Sequence, residues 1–188
     1  MVIALKTEDR VIVATTIADS IDDMAMCDKT VKENIPFWKV RGTKDCFVFA
    51  EDLTYVSDLL RYNDYIFKNI TDGSSIITDV VPQMKMLLDS YGYIHDGRKW
   101  PTRLVIVKGN KIFSISKYFV VDEIDEFVAF GCDSILKGAM EECADLPAEE
   151  RILFAVNHLC QMENMMLFPL TLFDTKTKSR WEHYHYGR

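Results

Sequence analysis

Strand-like and helix-like segments occur in separate blocks along this chain, and their order restricts the possible folds more than any other feature. Two apolar, β-branched segments, residues 2–7 and 11–16, flank three charged residues and predict an opening hairpin. The order along the chain is strands, two helices, strands, two helices and strands. Because separate blocks favour antiparallel sheets with paired helices over a βαβ arrangement, the sequence predicts an α+β fold with two antiparallel sheets between two helix pairs.

Local patterns locate the individual elements. Apolar periodicity, helix-breaking residues and acidic starts predict helices over residues 53–70, 76–91, 133–143 and 148–164. A Gly109-Asn110 turn inside an alternating segment predicts a hairpin within residues 103–121. The remaining predicted strands cover residues 30–35, 46–50, 127–130, 167–173 and 179–186. No repeat, linker or low-complexity tract interrupts this order, so we expect residues 1–188 to form a single domain.

Charge and cysteine content restrict the partners and the compartment. The 188 residues include 22 basic and 29 acidic side chains, and the net charge of −7 argues against a nucleic-acid or anionic-membrane partner. No apolar stretch approaches the roughly 18 residues of a membrane span, and the N-terminus lacks the pattern of a signal peptide. Five cysteines, an odd number at irregular spacing, are typical of a reduced compartment. We therefore expect a cytoplasmic protein with no cofactor.

Four segments carry a family resemblance, and they follow one another along the chain: MVIALKTEDRVIVA, DKTVKENI, FVAFGCDSILKGAME and LPAEERILFAVNHLC. In order, they resemble the first hairpin, the lysine-bearing segment, a strand-to-helix passage and the following helix of proteasome β-subunits and bacterial HslV-type protease subunits. These proteins are members of the N-terminal nucleophile hydrolase superfamily. The resemblance implies a four-layer αββα sandwich and self-association as a ring or a dimer.

The resemblance also implies where a catalytic centre would lie. In this family the hydroxyl of an N-terminal threonine attacks the peptide carbonyl, and its own amine, or a group to which the amine relays, acts as the base. That position falls at or just before Met1, and removal of Met1 would expose Val2; neither side chain offers a hydroxyl or a thiol. The family lysine, which lowers the pKa of the amine, falls at Lys32 or, with a shift of one residue, at Glu33.

The other family positions in the cleft differ as well. The expected aspartate aligns with Thr16, and the expected glycine before the first helix lies in Phe49-Ala50-Glu51, at Ala50. The Gly-Ser-Gly element is Gly131-Cys132-Asp133, and Asn164-Met165-Met166 replaces a polar Asp/Ser pair. We therefore interpret the chain as a non-hydrolytic relative, a pseudoenzyme that acts by self-assembly or partner binding. The alternative is an active peptidase or amidohydrolase of the superfamily whose nucleophile is unidentified or depends on processing.

Processing could in principle expose a different nucleophile. The tripeptide Thr15-Thr16-Ile17 resembles a mature proteasome N-terminus, but counting from Thr15 places the family lysine near Asp45-Cys46, with Lys44 closest. Cleavage before Thr15 would also remove the first strand of the hairpin and leave a sheet edge unpaired. Cleavage before Cys27 has the same consequence, so the sequence favours neither.

Two further features could bind a metal ion. His183 and His185 alternate on a predicted strand and would share one face, although no third ligand can be named. Asp19, Asp22 and Asp23 in the first long loop could hold a cation, or could form an ordinary solvated acidic loop.

Two further features could be a reactive thiol and a subunit contact. Cys132 follows a glycine at a predicted helix N-terminus, where the helix dipole lowers a thiol pKa; the alternative is a small buried replacement for serine. Met162, Met165 and Met166 could form a subunit contact, or could fill the core at the end of the last helix.

Overall fold

The computed structural model describes residues 1–16, 37–51, 55–93, 102–164, 167 and 169–183. The strands in this part of the chain are β1 Val2–Lys6, β2 Val11–Thr16, β3 Phe37–Lys39, β4 Cys46–Ala50, β5 Leu104–Lys108, β6 Lys111–Ile115, β7 Val121–Ile124, β8 Phe127–Phe130, β9 Leu170–Asp174 and β10 Arg180–His183. The helices are α1 Tyr55–Tyr62, α2 Gly73–Ser75, α3 Val81–Ser90, α4 Asp133–Glu142 and α5 Ala148–Glu163. No helix among these residues is long and apolar enough to cross a membrane.

The chain divides into two compact units. The first contains Met1–Ile35 and Glu126–Arg188, and the second contains Pro36–Asp125. Each unit has one antiparallel five-stranded sheet, which confirms the predicted α+β class. Whether both units together form the single domain that the sequence predicts stays a prediction.

The sheet of the first unit has the strand order β10-β9-β2-β1-β8. Alternate residues of β1 and β2 pack with the apolar faces of α4 and α5, and this core includes Ile3, Leu5, Ile12, Ala14, Leu136, Met140, Ile152, Val156 and Leu159. The residues between them, such as Val2 and Val13, are also fully buried. The strand β1 is therefore an interior strand that is buried on both faces, which explains its continuous apolar sequence.

The sheet of the second unit has the order β3-β4-β5-β6-β7. Its helix-facing core includes Val48, Leu104, Ile106 and Phe113 from the strands and Val56, Leu60, Val80, Met84 and Leu88 from the helical segments. Gly109 adopts a φ of 59°, which closes the tight turn between β5 and β6. The hairpin predicted at Gly109-Asn110 is confirmed.

Most predicted elements are present, but the first helix ends early. The predicted helix over residues 53–70 is α1, which ends at Tyr62, and a 3₁₀ turn follows at Asp64–Phe67. The side-chain amide of Asn63 donates to the Leu59 carbonyl (2.8 Å), and the Asp64 carboxylate accepts two hydrogen bonds from Arg41. These local bonds compete with the regular helix, so periodicity alone overestimated its length.

Other boundaries differ for similar local reasons. Helical structure begins at Gly73, before the predicted start of the second helix at residue 76, because Asp72 and Ser75 form a capping box. A π-helical turn, Ile76–Val80, then leads into α3. The three residues of β3 and the half-exposed β7 were not predicted as strands, and β9 begins only after Pro169. The predicted loop over residues 17–28 and strand over residues 30–35 lie outside the described residues.

Candidate functional site

The first residue of the chain lies between β2 and the end of β8. The backbone N–H of Thr16 donates to the Met1 carbonyl at 3.4 Å. On the other side, a Cβ atom added to Gly131 would lie 3.3 Å from Met1 Cα and 3.4 Å from Met1 Cβ. The structure therefore brings Met1, Thr16 and Gly131 together. The resemblance assigns these residues to the nucleophile position, the aspartate position and the Gly-Ser-Gly element, and those roles stay predictions.

Val2 and Thr15 lie opposite each other in this region and are both inaccessible. Val2 is paired with Thr15 of β2 and with Phe130 of β8, and it is fully buried. The Thr15 residue is 2% exposed, and its hydroxyl has no hydrogen-bond partner among the described residues. A nucleophile must reach its substrate, so neither residue can act as one in this conformation.

The residues Gly131-Cys132-Asp133 form the turn that leads from β8 into α4. Gly131 and Cys132 have φ angles of 91° and 55°, and the Gly131 N–H donates to the Asp133 carboxylate at 2.9 Å. The Cys132 carbonyl accepts from the N–H groups of Ile135 and Leu136. This left-handed turn leaves the Cys132 thiol exposed, so the interpretation of Cys132 as a small buried residue is wrong.

The predicted cleft glycine position, Ala50, lies in the second unit. Ala50 ends β4, is fully buried and pairs with Leu104. The N–H of the next residue, Glu51, donates to the Arg103 carbonyl at 2.9 Å. Arg103 also binds the Glu51 carboxylate with two nitrogens, and the Lys117 ammonium lies 3.8 Å from the same carboxylate. Next to the position where the resemblance implies a glycine, the backbone N–H and the carboxylate of Glu51 are therefore already engaged in hydrogen bonds and ion pairs.

Several predicted site residues cannot be placed. Those outside the described residues are Asp19, Asp22, Asp23, Cys27, Lys32, Met165, Met166 and His185. His183 ends β10, and the described part of the chain contains no group of three or more His, Cys, Asp or Glu side chains that could hold a metal ion. Met162 is 63% exposed, so core filling is wrong for that methionine.

Sequence reasoning missed a groove beside β3, which we call the β3 groove. It has a volume of about 470 Å³ and is lined by Phe37, Trp38, Lys39, Arg41, Arg61 and Asp64. These side chains come from β3, the turn after it, the end of α1 and the 3₁₀ turn. The only signal in the sequence was the triplet Phe37-Trp38-Lys39, which is too short to predict a strand with any reliability.

No protein-family model matches the sequence, and a comparison with curated proteins finds no relative. Solved structures do match. A structure of BPH from Thiobacillus denitrificans in complex with epoxomicin has a TM-score of 0.68 at 18% identity, over 92% of this chain and 96% of that one. Eukaryotic HslV from Trypanosoma brucei has a TM-score of 0.59 at 12% identity, over 97% of this chain and 99% of that one.

Anbu, an ancestral beta-subunit from Yersinia bercovieri, has a TM-score of 0.65 at 12% identity, over 97% of this chain and 86% of that one. At these identities the similarity concerns the fold, and it extends over nearly the whole chain. The predicted proteasome-type α+β fold is confirmed, because the chain shares its fold with HslV and with this ancestral beta-subunit.

Proposed function

We propose that this chain is a non-hydrolytic, proteasome-subunit-like protein of the cytoplasm that acts by self-assembly or partner binding. The observation that carries the proposal is the place of Met1. It contacts Gly131 and accepts a hydrogen bond from Thr16, and the family resemblance assigns the nucleophile to this position. A thioether has no proton to lose and cannot start an acyl-enzyme pathway.

Two further contacts support a loss of hydrolysis. Cleavage before Thr15 would not supply a nucleophile to the existing site, because the Thr15 hydroxyl is buried within the first sheet. The same cleavage would also remove interior strands of that sheet. The Glu51 N–H, in the segment of the cleft glycine, already donates to the Arg103 carbonyl. An oxyanion hole requires preorganised donors that are free to face the substrate oxygen.

Assembly is the remaining activity that the fold suggests. The proteins of similar fold include HslV and an ancestral beta-subunit, and a subunit works as part of a larger particle. We propose that this chain forms a homo-oligomer, either a ring or a dimer. Light scattering at micromolar concentration tests this part, and a strict monomer would contradict it.

The alternative function is an active peptidase or amidohydrolase that uses Lys32 and a nucleophile that is unidentified or is exposed by processing. Because the Thiobacillus denitrificans protein of similar fold binds epoxomicin, this compound is a suitable probe for the alternative function. The experiment combines the intact mass of the purified chain, turnover of a panel of fluorogenic peptides, and thermal-shift measurements with epoxomicin. Our proposal expects a mass that includes the hairpin, no turnover and no epoxomicin-dependent shift.

The Lys32→Ala variant is the matched control in the same assays. If the wild-type protein turns over a peptide and Lys32→Ala does not, the protein is a hydrolase and the non-hydrolytic proposal fails. Turnover that Lys32→Ala retains contradicts the proposal if it co-elutes with the protein in gel filtration, and indicates a contaminating peptidase if it elutes separately.

A further inference from the structure

The outer side of α1 exposes a row of large aromatic side chains. Tyr55 and Tyr62 lie seven residues apart, which places them on the same side of the helix, and they are 68% and 80% exposed. Tyr65, in the 3₁₀ turn that follows, is 60% exposed. We call these three tyrosines, together with Arg61 and Lys68, the tyrosine face. Single exposed apolar residues need no explanation, whereas a continuous row of them indicates an interaction surface.

The charges around these rings have an excess of cations. Both cations of the tyrosine face are exposed, and Arg41 adds a third, because its Nη2 donates to the Tyr62 carbonyl at 2.8 Å. The acidic residues of the same surface are Asp58, which is exposed, and Asp64, which is buried and pairs with Arg41. Three cations and two carboxylates leave a net charge of +1. Tyrosine and arginine are also the residues that most often dominate the energy of protein interfaces.

The other compact unit has a surface of opposite charge, where α4 leads into α5. Its carboxylates are those of Glu141, Glu142, Asp145, Glu149 and Glu150. The only cation among the exposed side chains from α4 to the first turn of α5 is Lys137, which pairs with Glu141. Leu146 is 39% exposed in the same segment. We call this surface the acidic face, and its five carboxylates and one ammonium give a net charge of −4.

We propose that the tyrosine face of one copy of this chain binds the acidic face of a second copy. Opposite charges attract across this contact, whereas two tyrosine faces, or two acidic faces, would bring like charges together. The exposed Leu146 offers the tyrosine rings an apolar partner. Three tyrosines of this exposure supply about half of the roughly 800 Å² that each partner buries in a standard interface.

The contact is heterologous, because different surfaces of the two copies meet. Each pair therefore leaves one tyrosine face and one acidic face free to bind further copies, and the assembly grows into a closed ring or into a filament. The inference rests on the homo-oligomer of the proposed function, and it favours the ring over the dimer.

The test is sedimentation of the full chain at a series of concentrations, with two double variants that each reverse the charge of one face. One variant combines Arg61→Glu with Lys68→Glu, and the other combines Glu142→Lys with Glu150→Lys. We expect each variant alone to associate about tenfold more weakly than the wild-type protein. An equimolar mixture should recover the wild-type affinity, because the two reversed faces attract each other and the two unchanged faces pair as before.

A tyrosine pair gives a second measurement that does not depend on charge. Tyr62→Ala should weaken association about tenfold, as expected for an aromatic residue in the centre of an interface. Tyr118→Ala removes a tyrosine that is 64% exposed in the turn before β7, outside the tyrosine face, and should leave the affinity unchanged. Asp122→Lys, at an exposed position of β7, is the matching control for charge reversal. Circular dichroism checks that every variant is folded.

The outcomes separate this inference from the proposed function. A wild-type protein that stays monomeric contradicts both. If the wild-type protein associates but the mixture of the two double variants does not recover its affinity, the inference is wrong and the homo-oligomer stands. The same conclusion follows if Tyr118→Ala or Asp122→Lys weakens association as much as the variants of the two faces.

Discussion

The backbone N–H of Thr16 donates a hydrogen bond to the carbonyl oxygen of Met1 over 3.4 Å, and this bond extends the pairing of β1 and β2 to the first residue. Within the ladder Val2 lies opposite Thr15, and on its other side β1 pairs with β8. The location of Met1 is thus determined by main-chain pairing. Its side-chain chemistry plays no part in it, so the fold does not depend on a nucleophilic side chain at this position.

The contact between Gly131 and Met1 gives a first prediction. Gly131→Ala should lower the free energy of unfolding by about 1–3 kcal/mol, because alanine is strained at a φ of 91° and its Cβ would press against the Met1 backbone. Gly138→Ala is the matched control: apart from its chain neighbours and the adjacent backbone of its own helix, no described atom lies within 4 Å of the added Cβ. Alanine in a helix should stabilise by about 0.5–1 kcal/mol. Urea unfolding measures both changes. Equal effects of the two substitutions would contradict the close contact.

The strand order of the first sheet gives a second prediction. A chain that begins at Thr15 lacks all of β1 and most of β2, the strands that connect β8 to β9. We expect such a chain not to fold, because loss of interior strands leaves two edges unpaired and exposes the core on α4 and α5. Circular dichroism and the dispersion of the amide NMR signals measure this. If the chain that begins at Thr15 folds, this prediction is wrong and cleavage before Thr15 becomes a possible way to form a processed N-terminus.

How much of the candidate site could be predicted from the sequence depends on how far apart its residues lie along the chain. The proximity of Met1 and Thr16 follows from one hairpin, which two apolar, β-branched segments around a charged turn predict. The proximity of Gly131 requires pairing of β1 with β8 across more than a hundred residues, and only the family resemblance suggested it. The β3 groove combines side chains from four short segments, and the Arg41–Asp64 bond that shapes it is not encoded in any local pattern.

The buried guanidinium of Arg151 gives a third prediction. Its Nε donates to the Met140 carbonyl at 2.7 Å, its Nη1 pairs with Glu126 at 2.6 Å, and it lies 5.1 Å from the ring centre of Phe127. Arg151→Met should cost about 1.5–3 kcal/mol, because it removes a charge-assisted hydrogen bond to a buried carbonyl.

Glu126→Gln tests which of these contacts matters. The Glu126 side chain is 58% exposed, so losing its charge should cost at most about 1 kcal/mol. Chemical denaturation compares the two variants under identical conditions. If Glu126→Gln costs as much as Arg151→Met, the ion pair with Glu126 and not the hydrogen bond to the Met140 carbonyl accounts for the stabilisation by Arg151.

The free thiols give a fourth prediction. Cys132 is exposed, whereas Cys46 and Cys143 are buried, and burial raises the pKa of Cys46 to about 12 and also raises that of Cys143. Since only the thiolate reacts, iodoacetamide at pH 8 should modify Cys132 in the native protein and reach the two buried thiols only after unfolding. Peptide mass spectrometry assigns each modified residue. Early modification of Cys46 would show that the second unit opens readily.

The pH dependence of stability gives the last prediction, at Asp174. Burial by itself would raise its pKa, but hydrogen bonds from the N–H groups of Thr177 and Lys176, together with the Arg10 guanidinium at 2.7 Å, lower the pKa below the ordinary value of 3.8. Because the unfolded chain takes up this proton first, the stabilisation is complete above about pH 5 and is lost as the pH falls through the lowered pKa.

Asp174→Asn keeps an oxygen for the two N–H groups and loses the charge that pairs with Arg10. We expect this variant to be about 2 kcal/mol less stable than the wild-type protein at pH 7, and the difference should shrink below pH 4. The exposed Asp145→Asn is the control and should change stability by no more than about 0.5 kcal/mol. Urea unfolding at a series of pH values measures all three proteins. A difference that stays constant down to pH 2.5 would mean that Asp174 acts through its shape and not through its charge.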